Sequence, residues 1–85
     1  MYFIDWRSKA LKQLAKIHDQ NTRKALKDAV ACLAEFPNTP QVKKLTNHKY
    51  AYRLKVGRFR IFFDIAETIR IISIQEVKKR DDRTY

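Results

Sequence analysis

The chain has 85 residues, of which 45% are hydrophobic and 33% are charged. A chain of this length forms one domain, residues 1–85, and its hydrophobic content excludes simple disorder. Lys and Arg number 19 against 9 Asp and Glu, which gives a formal net charge of +10 at pH 7. A charge of this size attracts polyanions. Nucleic acid is therefore the leading class of partner, and an acidic protein is the next.

The composition also argues against several classes of protein. With one cysteine, Cys32, an internal disulfide is impossible, which suits a reducing, cytosolic setting. No apolar run approaches the ~20 residues that span a membrane, so no membrane association is expected. The single glycine, Gly57, excludes a glycine-rich phosphate loop, and no group of Cys, His or carboxylate residues has metal-site spacing. We therefore expect neither a metal nor a cofactor, and we expect Cys32 to lie in the core.

The first half of the chain predicts one strand followed by two helices. Residues 2–6 alternate as a strand, and Ser8 is placed to cap a helix from Lys9 to about His18. The apolar stripe of this helix is Leu11, Leu14, Ile17 and His18. A second helix runs from about Thr22 to Glu35. Its wide apolar face consists of Ala25, Leu26, Ala29, Val30, Cys32, Leu33 and Phe36.

A loop is predicted after the second helix. Pro37 and Pro40 prevent the helix from continuing, because proline lacks the backbone N–H that a helix needs. The loop covers residues 38–49. Its two apolar residues, Val42 and Leu45, are expected to anchor it on the core.

The most informative segment runs from Tyr50 to Phe63 and predicts two β-strands joined by a tight turn at Gly57. Side chains of a strand alternate between its two faces, so this hairpin has an apolar face and a cationic face. The apolar face is predicted to carry Tyr50, Tyr52, Leu54, Val56, Phe59, Ile61, Phe63 and Ile65. The cationic face carries Arg53, Lys55, Arg58 and Arg60. Four cations on rigid strands form a prepared site for phosphate.

A final strand is predicted from Thr68 to about Val77, after a turn near Ala66 and Glu67. Its apolar residues fall on both faces, which predicts a central or well-covered strand. The order β-α-α-β-β-β indicates a small α+β domain, in which two N-terminal helices pack on one face of an antiparallel sheet. The apolar face of the hairpin would meet the helices, and its cationic face would lie open.

The cationic face suits the cleavage of RNA by its own 2′-hydroxyl group. This reaction needs a base for the 2′ proton, stabilisation of charge at the phosphorus, and an acid for the leaving 5′ oxygen. The histidines have no evident reason to converge: His18 is predicted at a helix end, and His48 in a loop, where it orders Tyr50. Lys55 is the best candidate for the base, because neighbouring cations lower the pKa of a lysine. Phe62, on the cationic face, is a candidate for base stacking.

The segment from Tyr52 to Phe63, followed by an aliphatic strand and a charged ending at Tyr85, resembles the RelE/ParE superfamily of toxins from type II toxin–antitoxin systems. The ending from Lys78 to Tyr85 is most similar to the RelE-like branch of cytotoxic translational repressors. The resemblance implies a RelE/ParE-like fold. It also implies a metal-independent endoribonuclease that enters the ribosomal decoding site and cuts mRNA there, in the cytoplasm.

The same resemblance implies catalytic residues on the hairpin. The first two cations of the RelE hairpin correspond to Arg53 and Lys55. The arginine that stabilises the transition state corresponds to Arg60. Arg53 stands where the RelE pattern more often has lysine, and it keeps the charge without being able to act as a base.

Further site residues lie near the C-terminus. The catalytic tyrosine falls on Tyr85. For the C-terminal cation, spacing from Tyr85 favours Lys79, whereas side-chain chemistry favours Arg80. The residues predicted to bind RNA are Lys49, Arg58, Phe62 and Lys78.

The resemblance further implies a cognate antitoxin, whose flexible segment wraps the toxin and folds on binding. A chain with a net charge of +10 suits an acidic wrapping segment. Two other functions are compatible with these features. One is a ParE-like inhibitor of DNA gyrase, which is a protein-binding poison with the same fold. The other is a non-catalytic nucleic-acid-binding module.

Overall fold

Residues 1–80 are described by the computed structural model, and they form five strands, two α-helices and one 3₁₀ helix. In chain order these are β1 (Phe3–Trp6), α1 (Ser8–Ala15), α2 (Gln20–Ala31), the 3₁₀ helix (Cys32–Glu35), β2 (Val42–Lys44), β3 (Tyr52–Val56), β4 (Phe59–Ala66) and β5 (Ile71–Lys79). Both helices pack on one face of the sheet, so the predicted α+β class is confirmed. No helix in this part of the chain is long and apolar enough to cross a membrane.

The sheet has the strand order β1-β5-β4-β3-β2. β1 runs parallel to β5, with Ile4 opposite Ile72, whereas the other neighbouring strands are antiparallel. The prediction of a purely antiparallel sheet is corrected in this respect. Two parallel strands need a long connection between them. Here the chain from β1 to β5 passes through both helices and then through β2, β3 and β4. β5 lies between β1 and β4, which confirms that the last strand is central.

The three-residue strand β2 occupies part of the segment that was predicted as a loop. Val42 pairs with Leu54 and packs against the core, as expected for an anchor, while Lys43 pairs with Arg53 on the other face. A strand this short, with two lysines among its residues, has too little alternation for sequence analysis to detect.

The hydrophobic core fills the space between the helices and the sheet. The largest fully buried side chains are Leu26, Val30, Leu33, Ile61, Phe63, Ile72 and Ile74. Leu54 of β3 joins them, and Tyr52 and Val56 pack against the same cluster. The predicted division of the hairpin into an apolar face on the helices and a polar face away from them is therefore confirmed for these strand residues.

Helix α1 is shorter than predicted. It begins at Ser8 without a side-chain capping bond and ends at Ala15. Leu14 makes the buried contact, whereas Leu11 is 48% exposed and His18 lies exposed beyond the helix. Residues 16–19 connect α1 to the second helix.

Helix α2 starts earlier than predicted because Asp19 caps it. The Asp19 carboxylate accepts the Asn21 N–H at 3.3 Å and the Thr22 hydroxyl at 2.5 Å. The hydrogen bond from Thr22 lowers the pKa of the Asp19 carboxyl below its ordinary value. At its other end the chain tightens into the 3₁₀ helix, which buries Leu33 and leaves Cys32 exposed. The prediction of a core cysteine is therefore wrong.

The connection between β4 and β5 is a tight turn. The Arg70 N–H donates to the Glu67 carbonyl at 3.3 Å, and Arg70 has a φ of 57°. The last strand consequently begins at Ile71 rather than at Thr68, and Ile69 is 64% exposed.

Candidate nucleic-acid interface

The sheet face that points away from the helices carries three cations side by side on three strands. Lys55 pairs with Arg60, and Arg60 pairs with Lys78, so the three side chains leave the same face. Paired Cα atoms of antiparallel strands lie about 5 Å apart. Lys55 and Lys78 are exposed, and Arg60 is half-buried. We call these three residues the cationic row. The structure thus brings together two residues predicted to be catalytic and one predicted to bind RNA.

A second row runs beside the cationic row, two residues further from the hairpin turn. It consists of Lys43, Arg53, Phe62 and Glu76. Arg53 is half-buried, and its Nε has no hydrogen-bond partner among residues 1–80. Arg53 lies two residues from Lys55 in β3 and therefore on the same face.

Glu76 is a buried carboxylate in this second row that sequence analysis did not single out. It is 7% exposed, and its Oε1 lies 3.6 Å from the Lys78 Nζ and 3.5 Å from the Lys9 Nζ. The Tyr50 side chain also hydrogen-bonds to it. Burial raises the pKa of Glu76, but the two ammonium groups outweigh burial, so the pKa lies below its ordinary value. Glu76 thus holds Lys78 beside Arg60 and reduces the positive charge of the face.

A β-bulge explains why Glu76 faces this side. Phe62 pairs with Glu76 but Phe63 pairs with Ile74, so β5 has one extra residue at Gln75. On the helix side of β5, the core residues that flank the bulge are consequently Ile74 and Val77, which are three positions apart instead of two. This break in alternation is the sequence signal that could have located Glu76.

We expect Glu76→Gln to lower the free energy of unfolding by about 1 kcal/mol at neutral pH, because both lysines lose their carboxylate. A group whose folded pKa is lowered stabilises the fold above its ordinary pKa, and this stabilisation is lost as the pH falls through the folded value. The wild type and the variant should therefore converge in acid. Urea unfolding at about pH 7 and about pH 3 measures the difference.

A matched control is Asp28→Asn, which removes the exposed ion pair between Lys24 and Asp28 at 3.7 Å. Its effect should stay below about 0.5 kcal/mol at either pH. A difference between wild type and Glu76→Gln that is equal at both pH values would contradict the assignment.

Three aromatic rings form a cluster on the same face. The His48 ring stacks on Phe62 with centroids 5.0 Å apart and an interplanar angle of 14°, and the Tyr50 ring lies 5.9 Å from Phe62. Phe62 was predicted to present its ring on the open face; it lies on that face but is only 8% exposed, because His48 covers it. Tyr50 was predicted on the helix side, but it precedes β3 and packs on the opposite face. We call His48, Tyr50 and Phe62 the aromatic cluster.

The loop that carries His48 is closed by hydrogen bonds. The Leu45 N–H donates to the Ala51 carbonyl at 2.8 Å, and the Ala51 N–H donates to the Asp64 carboxylate at 2.8 Å. Within the loop the Tyr50 N–H donates to His48 Nδ1 at 3.0 Å. The prediction that His48 orders Tyr50 is therefore confirmed.

Two of the predicted site residues lie on the helix side instead. Arg58 occupies the hairpin turn after Gly57, whose φ is 55°, and it lines a groove of about 460 Å³ with residues 16–19, which connect the two helices, and with Thr22 of α2. Lys79 pairs with Phe59, so its side chain leaves the sheet toward the same groove. Because the turn interrupts the alternation, Arg58 does not share a face with Arg60, and the predicted grouping of four hairpin cations is corrected to three.

The remaining predicted residues are placed as follows. Arg80 is exposed, and its N–H donates to the Arg58 carbonyl at 2.6 Å, one residue beyond the end of β5. The Lys49 Nζ lies 5.4 Å from the centre of the Tyr50 ring, at the edge of the aromatic cluster. Tyr85 lies outside the described residues.

Comparisons with known proteins add a family and a fold. A family model described as the ParE toxin of the type II toxin-antitoxin system parDE matches residues 4–83. The isolated E. coli RelE toxin superposes with a TM-score of 0.78 at 23% identity, over 95% of this chain and 86% of that one. RelE in the E. coli RelBE toxin–antitoxin complex superposes with a TM-score of 0.77 at 23% sequence identity, over 95% of this chain and 99% of that one. A chain of the archaeal RelE–RelB complex from Pyrococcus horikoshii superposes with a TM-score of 0.77 at 20% sequence identity, over 95% of this chain and 97% of that one. No curated protein matches. Identities this low establish the fold alone.

Proposed function

Because the chain belongs to the RelE/ParE family of type II toxin–antitoxin toxins, we propose that it is a ribosome-dependent endoribonuclease that cuts mRNA in the decoding site and so inhibits translation. The observation that carries this proposal is the cationic row. Three cations from three different strands meet on a rigid face, where they can surround one phosphate. A toxin that acts on translating ribosomes works in the cytoplasm, where no membrane is involved.

The proposed reaction is an attack of the 2′-hydroxyl on the neighbouring phosphorus. The Lys55 side-chain nitrogen accepts the 2′ proton while the bond from the 2′ oxygen to phosphorus forms. The bond from phosphorus to the 5′ oxygen breaks, and the phenol of Tyr85 supplies a proton to that oxygen. The products are a 2′,3′-cyclic phosphate and a 5′-hydroxyl, and neither a metal nor a cofactor takes part.

The other cations stabilise the charge that develops on the phosphate. Arg60 stands in the middle of the cationic row and has a planar fork of donors that suits a phosphorane with two charged equatorial oxygens. Lys78 completes the row, and Arg53 adds a positive charge from the second row. Lys49, beside the aromatic cluster, would bind the RNA backbone further along.

For the C-terminal cation we propose Arg80 rather than Lys79. Arg80 stands two residues after Lys78, and side chains two positions apart in an extended chain leave the same face, so we assign Arg80 to the side of Lys78. Lys79 lies with Phe59 on the helix side. Arg58, in the same groove, is likewise assigned to that side and not to the cleavage site.

We expect Arg80→Ala to lower the rate of message cleavage by translating ribosomes at least about tenfold, and Lys79→Ala to change it less than about threefold. The pair removes the same charge from adjacent residues, so total charge cannot explain a difference. The measurement is the rate at which a defined message is cut, followed by primer extension. An inverted order of the two variants would refute the assignment, and an intact message with the wild type would refute the nuclease itself.

We also propose a cognate antitoxin as the physiological partner. The solved E. coli and Pyrococcus horikoshii structures are toxin–antitoxin complexes of RelE with RelB. With a net charge of +10, this chain would attract an acidic antitoxin segment that folds on the toxin.

Inhibition of DNA gyrase is the second candidate, and the description of the matching family model as a ParE toxin favours it. A gyrase inhibitor needs a surface for protein binding and no row of phosphate ligands. DNA damage after expression, with messages left intact, would support this candidate over the nuclease.

A further inference from the structure

We infer that His48 is a stacking platform for an RNA base whose neighbouring phosphate lies on the cationic row. This inference deepens the proposed function and rests on it for the identity of the ligand. Proteins that bind single-stranded RNA combine a positive groove for the backbone with aromatic rings on which bases stack. The open face has both parts.

The stacking geometry assigns the role to His48 rather than to Phe62. One face of the His48 ring lies against Phe62, with 5.0 Å between centroids and nearly parallel planes. Phe62 is 8% exposed and Tyr50 is 9% exposed, whereas His48 is an exposed residue. His48 is therefore the outer ring of the aromatic cluster, and a base would add to its free face as the next ring of the stack.

The ring of His48 is held in place before any ligand binds. Its Nδ1 accepts the Tyr50 N–H, and the loop around it is closed by the bond from Leu45 to Ala51 and anchored on Asp64. With Nδ1 as an acceptor, the neutral imidazole carries its proton on Nε2. A ring fixed in this way loses little conformational freedom when a base stacks on it.

The platform lies next to the proposed cleavage site. Phe62, on which His48 rests, is two residues from Arg60 on the same strand and the same face, which is about 7 Å along β4. On either side of Phe62 in its row stand Arg53 and Glu76. A strand of RNA with one phosphate on the cationic row can therefore place an adjacent base over the imidazole.

The test uses a single-stranded 2′-O-methyl RNA heptamer with one 2-aminopurine, whose fluorescence falls when the base stacks. The full-length protein is titrated into it at low salt, without ribosomes. Because a 2′-O-methyl group prevents cleavage, the result does not depend on nuclease activity. His48→Leu is the main variant, since leucine still covers Phe62 but has no aromatic ring. His48→Trp keeps a ring, and Thr46→Ala is an exposed control in the same loop.

We expect saturable quenching with the wild type and with Thr46→Ala. His48→Leu should abolish the quenching and weaken binding about tenfold, and His48→Trp should retain both. Thermal unfolding of each variant establishes that it is folded. Equal quenching by wild type and His48→Leu, or no saturable quenching by the wild type, would overturn the inference.

The two failures are distinguishable. Quenching that needs His48, from a protein that never cuts a message, would leave the platform standing without the nuclease. Cleavage by the wild type together with unchanged quenching in His48→Leu would leave the nuclease standing without the platform.

Discussion

Arg60→Ala is expected to lower the rate of message cleavage about 100- to 1,000-fold, which is the usual effect of removing one donor that stabilises a charged transition state. Arg60 lies between Lys55 and Lys78 in the cationic row, so its guanidinium can reach the phosphate from the centre of the site. Its contact should strengthen as charge develops, so ribosome binding should fall much less than the rate. Single-turnover cleavage and a separate binding assay measure the two quantities.

A charge-matched control for Arg60→Ala is Lys27→Ala, because Lys27 is an exposed cation on α2, away from the open face. It should change the rate less than about twofold. Arg60→Lys keeps the charge but lacks the planar fork, and should recover only part of the rate. Losses of equal size in binding and in rate for Arg60→Ala would argue against a transition-state role.

Leu14→Ala is the second change with a large expected effect, on stability rather than on activity. Leu14 of α1 is 4% exposed and belongs to the core between the helices and the sheet. Its truncation should lower the free energy of unfolding by about 2–5 kcal/mol, through lost burial and the cavity that remains. A domain this small has only about 5–10 kcal/mol in total, so much of the population could unfold on mild heating.

Leu11→Ala is the matched comparison, since both leucines were predicted on one apolar stripe. Leu11 is 48% exposed, so its truncation should cost less than about 1 kcal/mol. Urea unfolding of both variants gives the two values. Similar losses for Leu11 and Leu14 would contradict the observed orientation of α1.

The hairpin was the part of the fold that sequence analysis predicted best. Its alternation extends over most of β3 and β4, and its only glycine stands at the one turn position where φ is positive, 55° at Gly57. A long period-two pattern with a clear break determines which residues share a face. The pattern therefore predicts that Arg53, Lys55 and Arg60 lie on the open face, and the strand pairing confirms it.

The errors occur where local pattern and tertiary contact disagree. In the sequence, Arg58 fits the alternation of cationic residues along the hairpin. In the structure it lies in the turn, where the chain direction reverses. Lys78 and Lys79 are adjacent in a strand and therefore lie on opposite faces, and the bulge at Gln75 determines which of them shares the face of Arg60. In the sequence, the bulge is marked by the spacing of three between Ile74 and Val77 and by no change in strand propensity.

The aromatic cluster could not be predicted from spacing at all. His48 lies in a loop with no regular structure, and its contact with Phe62 is made 14 residues away in sequence. Its position depends on hydrogen bonds that close the loop and on Asp64 from a neighbouring strand. Such contacts follow from the fold and not from the periodicity of the sequence. The sequence therefore predicts that His48 orders its loop, and it does not predict that His48 stacks on Phe62.

The most direct test of the central claim is primer extension on a defined message in a reconstituted translation reaction, with and without this protein, beside a reaction that lacks ribosomes. New cuts that require both the protein and ribosomes, and that disappear with Lys55→Ala or Arg60→Ala, are the predicted result. A message that stays intact in the presence of ribosomes would contradict the account and leave gyrase inhibition or simple nucleic-acid binding as the function of this toxin.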